Sequence, residues 1–166
     1  MRHTELRSTP TRSVTSGLFR TYLPLDELAG REIALAYAQL QNSGLCDPEQ
    51  VILAGYSQGG ALAVSLALAG NVIPCRRFLA VAPSFPDPSA LLSLIARGAE
   101  RSTRGWLVTG EHDYGGPRTE EVHTAMQRQG LVCELVVVPG LHHDFPPDFA
   151  GRLHEALGLL RPPGAR

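Results

Sequence analysis

The residue that most clearly predicts chemistry in this sequence is Ser57, at the centre of the pentapeptide Gly55-Tyr56-Ser57-Gln58-Gly59. The pentapeptide is a G-x-S-x-G pattern between a short apolar run and a longer one. A serine at a sharp strand-to-helix turn is lifted clear of its sheet, and glycines beside it relieve the close approach of the chain to itself. The first turn of the following helix favours a developing oxyanion, because its N–H groups are free and the dipole is positive there. We therefore predict that Ser57 is a nucleophile.

A serine hydroxyl is a poor nucleophile at neutral pH and needs a base, which in turn needs a partner that fixes its tautomer. Asp113 follows a predicted strand at Trp106–Thr109, and His142 and His143 follow another at Val132–Val138. The order serine, aspartate, histidine along the chain is the order found in α/β-hydrolases. We expect the carboxylate to orient a histidine and the histidine to take the proton of the serine.

The elements that must position these residues alternate between strand and helix. Apolar periodicity and capping residues predict strands at Val51–Ala54, Phe78–Ala82, Trp106–Thr109 and Val132–Val138, and helices at Asp26–Asn42, Ser57–Ala69, Asp87–Arg97, Pro117–Gln129 and Asp148–Leu159. Short connections between such elements favour an α/β fold with a mostly parallel sheet, right-handed crossovers and helices on both faces. The predicted polar groups then meet at the carboxyl edge of the sheet.

Three segments, GYSQGGALAVSLAL, GEHDYG and PGLHHDFP, resemble the phospholipase/carboxylesterase branch of the α/β-hydrolase superfamily, which includes acyl-protein thioesterases. The resemblance extends over about residues 26–149. It implies a catalytic triad of Ser57, Asp113 and His143, with the backbone N–H of Gln58 as one donor of the oxyanion hole. It implies no cofactor.

The choice between the two histidines depends on the motif around them. His143 precedes Phe145-Pro146, as the base of the family precedes an F-P or Y-P pair, whereas His142 stands where a glycine is common. The resemblance therefore assigns the base to His143.

The sequence departs from the family pattern before the predicted strand Val51–Ala54, which leads to Ser57. Residues 1–50 contain one predicted helix and no convincing strand, although the family has several strands there. We expect an irregular segment over residues 1–23 and a partial α/β-hydrolase domain over residues 24–161 that lacks the N-terminal strands and the loop that usually supplies the second oxyanion donor. The strand that leads to Ser57 would then lie on an exposed sheet edge, through which the protein could form a homo-oligomer.

Composition predicts one globular domain without a strong charge preference. The 166 residues are 43% hydrophobic with a net charge of −1, so nothing indicates nucleic-acid binding. No stretch is long and apolar enough to cross a membrane. The three cysteines are scattered and odd in number, which favours reduced thiols in a cytoplasmic protein.

Other interpretations of these residues stay open at this point. Glu111 is a rival to Asp113 as the acid, and Tyr56 could line the substrate pocket or only pack. No ligand spacing supports a metal site among the neighbouring polar residues, which are His112, His142, His143 and Asp144.

Two hypotheses about function follow from the sequence. The first is a serine hydrolase that cleaves small-molecule carboxylic esters or thioesters through an acyl-enzyme on Ser57. The second is a catalytically weak or inactive hydrolase remnant that serves as a binding module through its sheet edge. Acyl transfer to an acceptor other than water shares the acyl-enzyme with the first hypothesis, so the sequence does not separate the two reactions.

Overall fold

The computed structural model of the chain describes residues 15–99 and 102–161, with side chains from residue 28 onward other than that of residue 49. The elements are α1 (Thr15–Asn42), a 3-10 turn (Pro48–Gln50), β1 (Leu53–Tyr56), α2 (Gln58–Ala69), β2 (Arg77–Val81), α3 (Ser89–Ala96), β3 (Arg104–Gly110), α4 (Gly116–Arg128), β4 (Val132–Val138) and α5 (Phe149–Leu160).

The four strands form one parallel sheet in the order β1-β2-β3-β4. In register, Gly55 is opposite Ala80, Ala80 is opposite Leu107, and Leu107 is opposite Leu135. Because every strand runs the same way, their carboxyl ends share one edge of the sheet. The predicted parallel α/β fold is confirmed.

Helices cover both faces of the sheet, as the sequence predicts. On one face, α2, α3 and α4 cover alternate strand side chains that include Phe78, Ala80 and Leu107. On the other face, α5 covers the intervening side chains, among them Leu79 and the fully buried Trp106. This alternation follows from the two-residue period of a strand, and β2 and β3 are apolar throughout most of their length because both faces are buried.

The first strand lies two residues later than predicted. The sequence indicates Val51–Ala54, but Gly55 and Tyr56 belong to the strand because they pair with Ala80 and Val81. Glycine has a low strand propensity, and pairing with β2 overrides it. The strand therefore extends up to the residue before the serine.

The first helix begins earlier than the expected start at Asp26. It extends from Thr15 to Asn42 and ends before Gly44, which takes the predicted left-handed conformation at φ 72°. The expected irregular segment therefore differs from the structure over residues 15–23, and residues 1–14 lie outside the described residues. The apolar spacing of the helix continues upstream of the predicted cap through Leu18, Tyr22 and Leu25.

Within the described residues, β1 pairs only with β2, so it is an edge strand of this sheet. Beside it lies an apolar groove of about 260 Å³ that α1, β1 and α2 line with residues such as Ile33, Leu53, Leu62 and Leu66. Across the same described ranges, none of the helices has both the length and the apolar character needed to cross a bilayer.

Candidate active site

Ser57 occupies a tight turn between β1 and α2. Its backbone has φ 55° and ψ −119°, which non-glycine residues rarely adopt. A Cβ on Gly55 would overlap the backbone of Gly59, so this position requires glycine. A Cβ on Gly59 would meet no described atom within 4 Å. The predicted steric need for glycine is confirmed at Gly55 and does not extend to Gly59.

Backbone hydrogen bonds hold this turn in place. The Ser57 N–H donates to the Val81 carbonyl at 2.9 Å, and the Ser57 carbonyl accepts from the N–H groups of Ala61 at 3.1 Å and Ser84 at 3.0 Å. Gln58 is the first residue of α2, so its N–H has no carbonyl partner one turn earlier in that helix. The strained turn is therefore fixed, with a helix N-terminus directly beside the serine hydroxyl.

The structure brings together the three residues of the predicted triad. The Ser57 Oγ lies 2.9 Å from His143 Nε2, and His143 Nδ1 lies 2.9 Å from Asp113 Oδ1. An ionised carboxylate only accepts hydrogen bonds, so in the neutral imidazole Nδ1 carries the proton and Nε2 accepts from the serine hydroxyl. This is the geometry in which a histidine can remove the proton of a serine.

The loop after β3 holds the Asp113 carboxylate from several directions. Asp113 is 4% exposed. Its Oδ1 accepts from the Gly115 N–H at 2.9 Å, and its Oδ2 accepts from the Thr109 hydroxyl at 3.0 Å. Together with His143, these donors fix the carboxylate against rotation. Thr109 and Gly115 are not among the sequence-predicted site residues; the signal for Thr109 is a hydroxyl at the end of an apolar strand.

The two rival residues of the sequence interpretation have other contacts. Glu111 accepts a hydrogen bond from the Gly140 N–H at 2.8 Å and so links the loops after β3 and β4. The ring of His142 lies against that of His112, with centroids 5.2 Å apart. Within the ranges that the structure describes, no three metal-ligating side chains are grouped closely enough to hold an ion.

Two tyrosines contact the histidine of the triad. The Tyr56 hydroxyl donates to the His143 carbonyl at 2.9 Å, and the Tyr56 ring stacks on Phe145 with centroids 4.8 Å apart. Desolvation, followed by the negative charges of Asp144 and Asp113, raises the pKa of Tyr56, so its hydroxyl keeps its proton to a higher pH than an ordinary tyrosine does. Contact of Tyr56 with substrate stays a prediction.

Tyr114 is the second tyrosine, and the sequence analysis does not identify it. Its hydroxyl lies 3.3 Å from His143 Nε2, and the ring centroids of the two residues are 4.6 Å apart at 31°. The only sequence signal for Tyr114 is that it directly follows Asp113.

A cavity of about 210 Å³ opens beside Gln58, between α2, α3 and the segment after β2. Its lining is mostly apolar and includes Ala61, Leu62, Phe85 and Leu91. The guanidinium of Arg118 donates to the carbonyls of Phe85 and Pro86, which holds the segment after β2 in place. An apolar group bound here would lie close to the predicted oxyanion donor.

Comparison with known proteins supports the fold. No family model and no curated protein matches the sequence. Among solved structures, an uncharacterized protein from Bacillus cereus is similar with a TM-score of 0.73 and 24% identity, over 81% of this chain and 43% of that chain. Esterase PE8 is similar with a TM-score of 0.66 and 21% identity, over 81% of this chain and 61% of that chain.

A third similar structure is SOBER1 from Arabidopsis thaliana, with a TM-score of 0.61 and 21% identity, over 80% of this chain and 63% of that chain. This chain thus spans less than two thirds of the length of each of these three proteins. Four parallel strands, helices on both faces and these similarities define the fold. The described chain has a partial α/β-hydrolase fold.

Proposed function

We propose that the protein is a serine hydrolase that cleaves carboxylic esters or thioesters through an acyl-enzyme on Ser57. The observation that carries this proposal is the pair of 2.9 Å contacts, from Ser57 Oγ to His143 Nε2 and from His143 Nδ1 to Asp113 Oδ1. The α/β-hydrolase fold and the helix N-terminus beside the serine support it.

In the proposed acylation step, the Ser57 oxygen forms a bond to the acyl carbon while His143 Nε2 takes the hydroxyl proton. The negative charge that develops on the acyl oxygen is stabilised by the Gln58 N–H at the start of α2. Nε2 then gives its proton to the leaving oxygen or sulfur as the bond from the acyl carbon to that atom breaks. Asp113 stabilises the imidazolium that exists between these two proton transfers.

In the proposed deacylation step, a water molecule takes the position of the leaving group. Nε2 removes one of its protons as the water oxygen attacks the acyl carbon. The bond to Ser57 breaks, the proton returns to the serine, and a carboxylic acid leaves. Esters and thioesters pass through the same acyl-enzyme, so this mechanism serves both.

The cavity beside Gln58 is the proposed site for the acyl part of the substrate. It opens next to the residue that would bind the acyl oxygen, and its mostly apolar lining suits a neutral apolar acyl group. The proposed substrate is therefore a small neutral ester or thioester.

A binding function is the second candidate. The observation that favours it is the edge of β1 that pairs with no other described strand, together with its apolar groove. An edge strand can add a strand from another chain. Under this interpretation the triad would be intact in geometry and too slow for turnover.

The test is hydrolysis of p-nitrophenyl butanoate by the purified protein. We expect Ser57→Ala and His143→Gln to lower kcat about 10⁴-fold or more, because each removes a group that no neighbour replaces. His142→Gln is the matched control and should stay within about threefold of wild type, because that ring contacts His112 instead. Labelling of the wild type by a fluorophosphonate probe, absent in Ser57→Ala, supports the same conclusion. Equal hydrolysis by wild type and Ser57→Ala contradicts the hydrolase proposal.

A further inference from the structure

The position of the leaving group follows from the proposed mechanism. His143 Nε2 must protonate the leaving atom, so the leaving group lies beside this nitrogen when its bond breaks. The cavity beside Gln58 is lined by α2, α3 and the segment after β2, and His143 does not line it. The acyl part and the leaving group therefore contact different surfaces of the site.

Besides the serine, Tyr114 also contacts Nε2 with its side chain. Its hydroxyl lies 3.3 Å from this nitrogen, yet 71% of the residue is exposed. The neighbouring residues Asp113 and Gly115 are buried, and the carboxylate of the first accepts from the N–H of the second. A large ring is thus held exposed on a rigid, hydrogen-bonded turn, directly next to the base.

Two further rings extend this surface. Tyr56 is 36% and Phe145 is 43% exposed, and the two rings stack with centroids 4.8 Å apart at 19°. The imidazole of His143 lies near both tyrosines, 5.3 Å from Tyr56 and 4.6 Å from Tyr114. We call Tyr56, Tyr114 and Phe145 the aromatic rim. Exposed aromatic faces grouped around a reactive atom are typical of a binding surface.

The charges at the aromatic rim restrict what can bind there. The carboxylates of Asp113 and Asp144 are close enough to contribute to the raised pKa of Tyr56, after desolvation. Negative charge at this place disfavours a phosphorylated or carboxylated leaving group. A flat neutral ring fits the rim best, since it can stack on the exposed phenol.

We propose that the aromatic rim binds a neutral aromatic alcohol or thiol, the leaving group of the substrate, chiefly by stacking on Tyr114. This inference rests on the proposed hydrolase function and adds the chemical class of the leaving group. It makes Tyr114 a specificity-determining residue.

The experiment compares two esters of butanoic acid, benzyl and cyclohexylmethyl, whose leaving groups are both primary alcohols carrying a six-membered ring. We expect wild type to give a kcat/KM about fivefold higher for the benzyl ester, the size of one aromatic pair interaction. Tyr114→Phe keeps the ring and should keep the preference. Tyr114→Leu removes the ring and should bring the ratio of the two kcat/KM values below about twofold. Both esters form the same acyl-enzyme, so a difference in acylation reports on the leaving group alone.

The outcomes separate this inference from the proposed function. The ratio of the two kcat/KM values cancels any change in serine reactivity that is common to both esters. If wild type hydrolyses both esters equally, or if Tyr114→Leu keeps the wild-type ratio, the aromatic rim does not select the leaving group and the inference is wrong. If both rates fall by one factor in Tyr114→Leu, Tyr114 only positions His143, which also overturns it. If the fluorophosphonate fails to label wild-type Ser57 and neither ester is hydrolysed, the hydrolase proposal itself fails.

Discussion

Hydrogen bonds connect the loops that follow β3 and β4 and hold the side chains within them. In contrast, β1 borders an open apolar groove within the described residues. On the first side, Asp113 is buried with three partners, and Glu111 joins the two loops to each other. On the second side, the turn of Ser57 is held by backbone hydrogen bonds with Val81, Ser84 and Ala61, and Gly59 faces open space. The difference teaches that the Asp113 carboxylate is fixed by bonds to the side chain itself, while Ser57 is fixed through its backbone.

The largest effect on activity should come from a change to the Asp113 carboxylate. Asp113→Asn keeps the shape but offers an amide to His143 Nδ1, which favours the wrong tautomer, so we expect kcat to fall about 10⁴-fold. Glu111→Gln makes the same chemical change in a residue that contacts the Gly140 N–H, and kcat should stay within about threefold. Esterase kinetics on both variants measures this. Equal losses would show that Glu111 shares the role of the acid.

Substitution of the two glycines on either side of Ser57 compares how the two positions affect the free energy of unfolding. In Gly55→Ala the new Cβ overlaps the Gly59 backbone, and we expect the free energy of unfolding to fall by about 3 kcal/mol or more. In Gly59→Ala the Cβ enters open space in α2, and the free energy of unfolding should rise by about 0.5 kcal/mol, because alanine favours helix. Urea unfolding of both variants gives the difference. A loss of similar size at Gly59 would mean that the groove is filled in solution.

Burial of Cys133 should also lower the free energy of unfolding at alkaline pH. Burial, followed by the nearby Glu134 carboxylate, raises the pKa of the Cys133 thiol from 9.0 to about 12. The unfolded chain therefore loses this proton first, so the free energy of unfolding declines as pH rises from about 9 to about 12, by at most about 1.4 kcal/mol per pH unit for one proton. Cys133→Ala should remove that part of the decline. Unfolding curves at pH 8 and pH 10 check this, and equal declines in both proteins would contradict it.

Much of the fold could be predicted because its signals are local. The apolar strand Val132–Val138 has the predicted bounds, and the helix stop at Gly44 takes the predicted conformation. The end of β1 could not be predicted, because Gly55 and Tyr56 become strand only through pairing with β2. The start of α1 at Thr15 could not be predicted, because Asp26 is a good capping residue and therefore indicates a later start.

The three residues proposed as catalytic could be selected from the sequence. Each follows a strand, the carboxyl ends of parallel strands meet, and the family resemblance favours His143 over His142 and Asp113 over Glu111. Their partners could not be selected in this way. Thr109 lies outside the three segments that carry the resemblance, and Tyr114 lies in the segment GEHDYG without an assigned role. Their contacts with Asp113 and His143 depend on how two loops pack. The cytoplasmic location and association through the sheet edge stay predictions.

The parallel order of the strands also separates Ser57 and His143 by 86 positions along the chain. One belongs to the turn after the first strand of the sheet and the other to the loop after the last, so neither local segment alone can form the contact between them. During refolding, the proposed hydrolysis cannot begin before both outer strands have joined the inner pair, and such long-range assembly is slow compared with helix formation. Turnover of an ester by the proposed mechanism would therefore report completed tertiary assembly, whereas circular dichroism would report only the earlier formation of the helices.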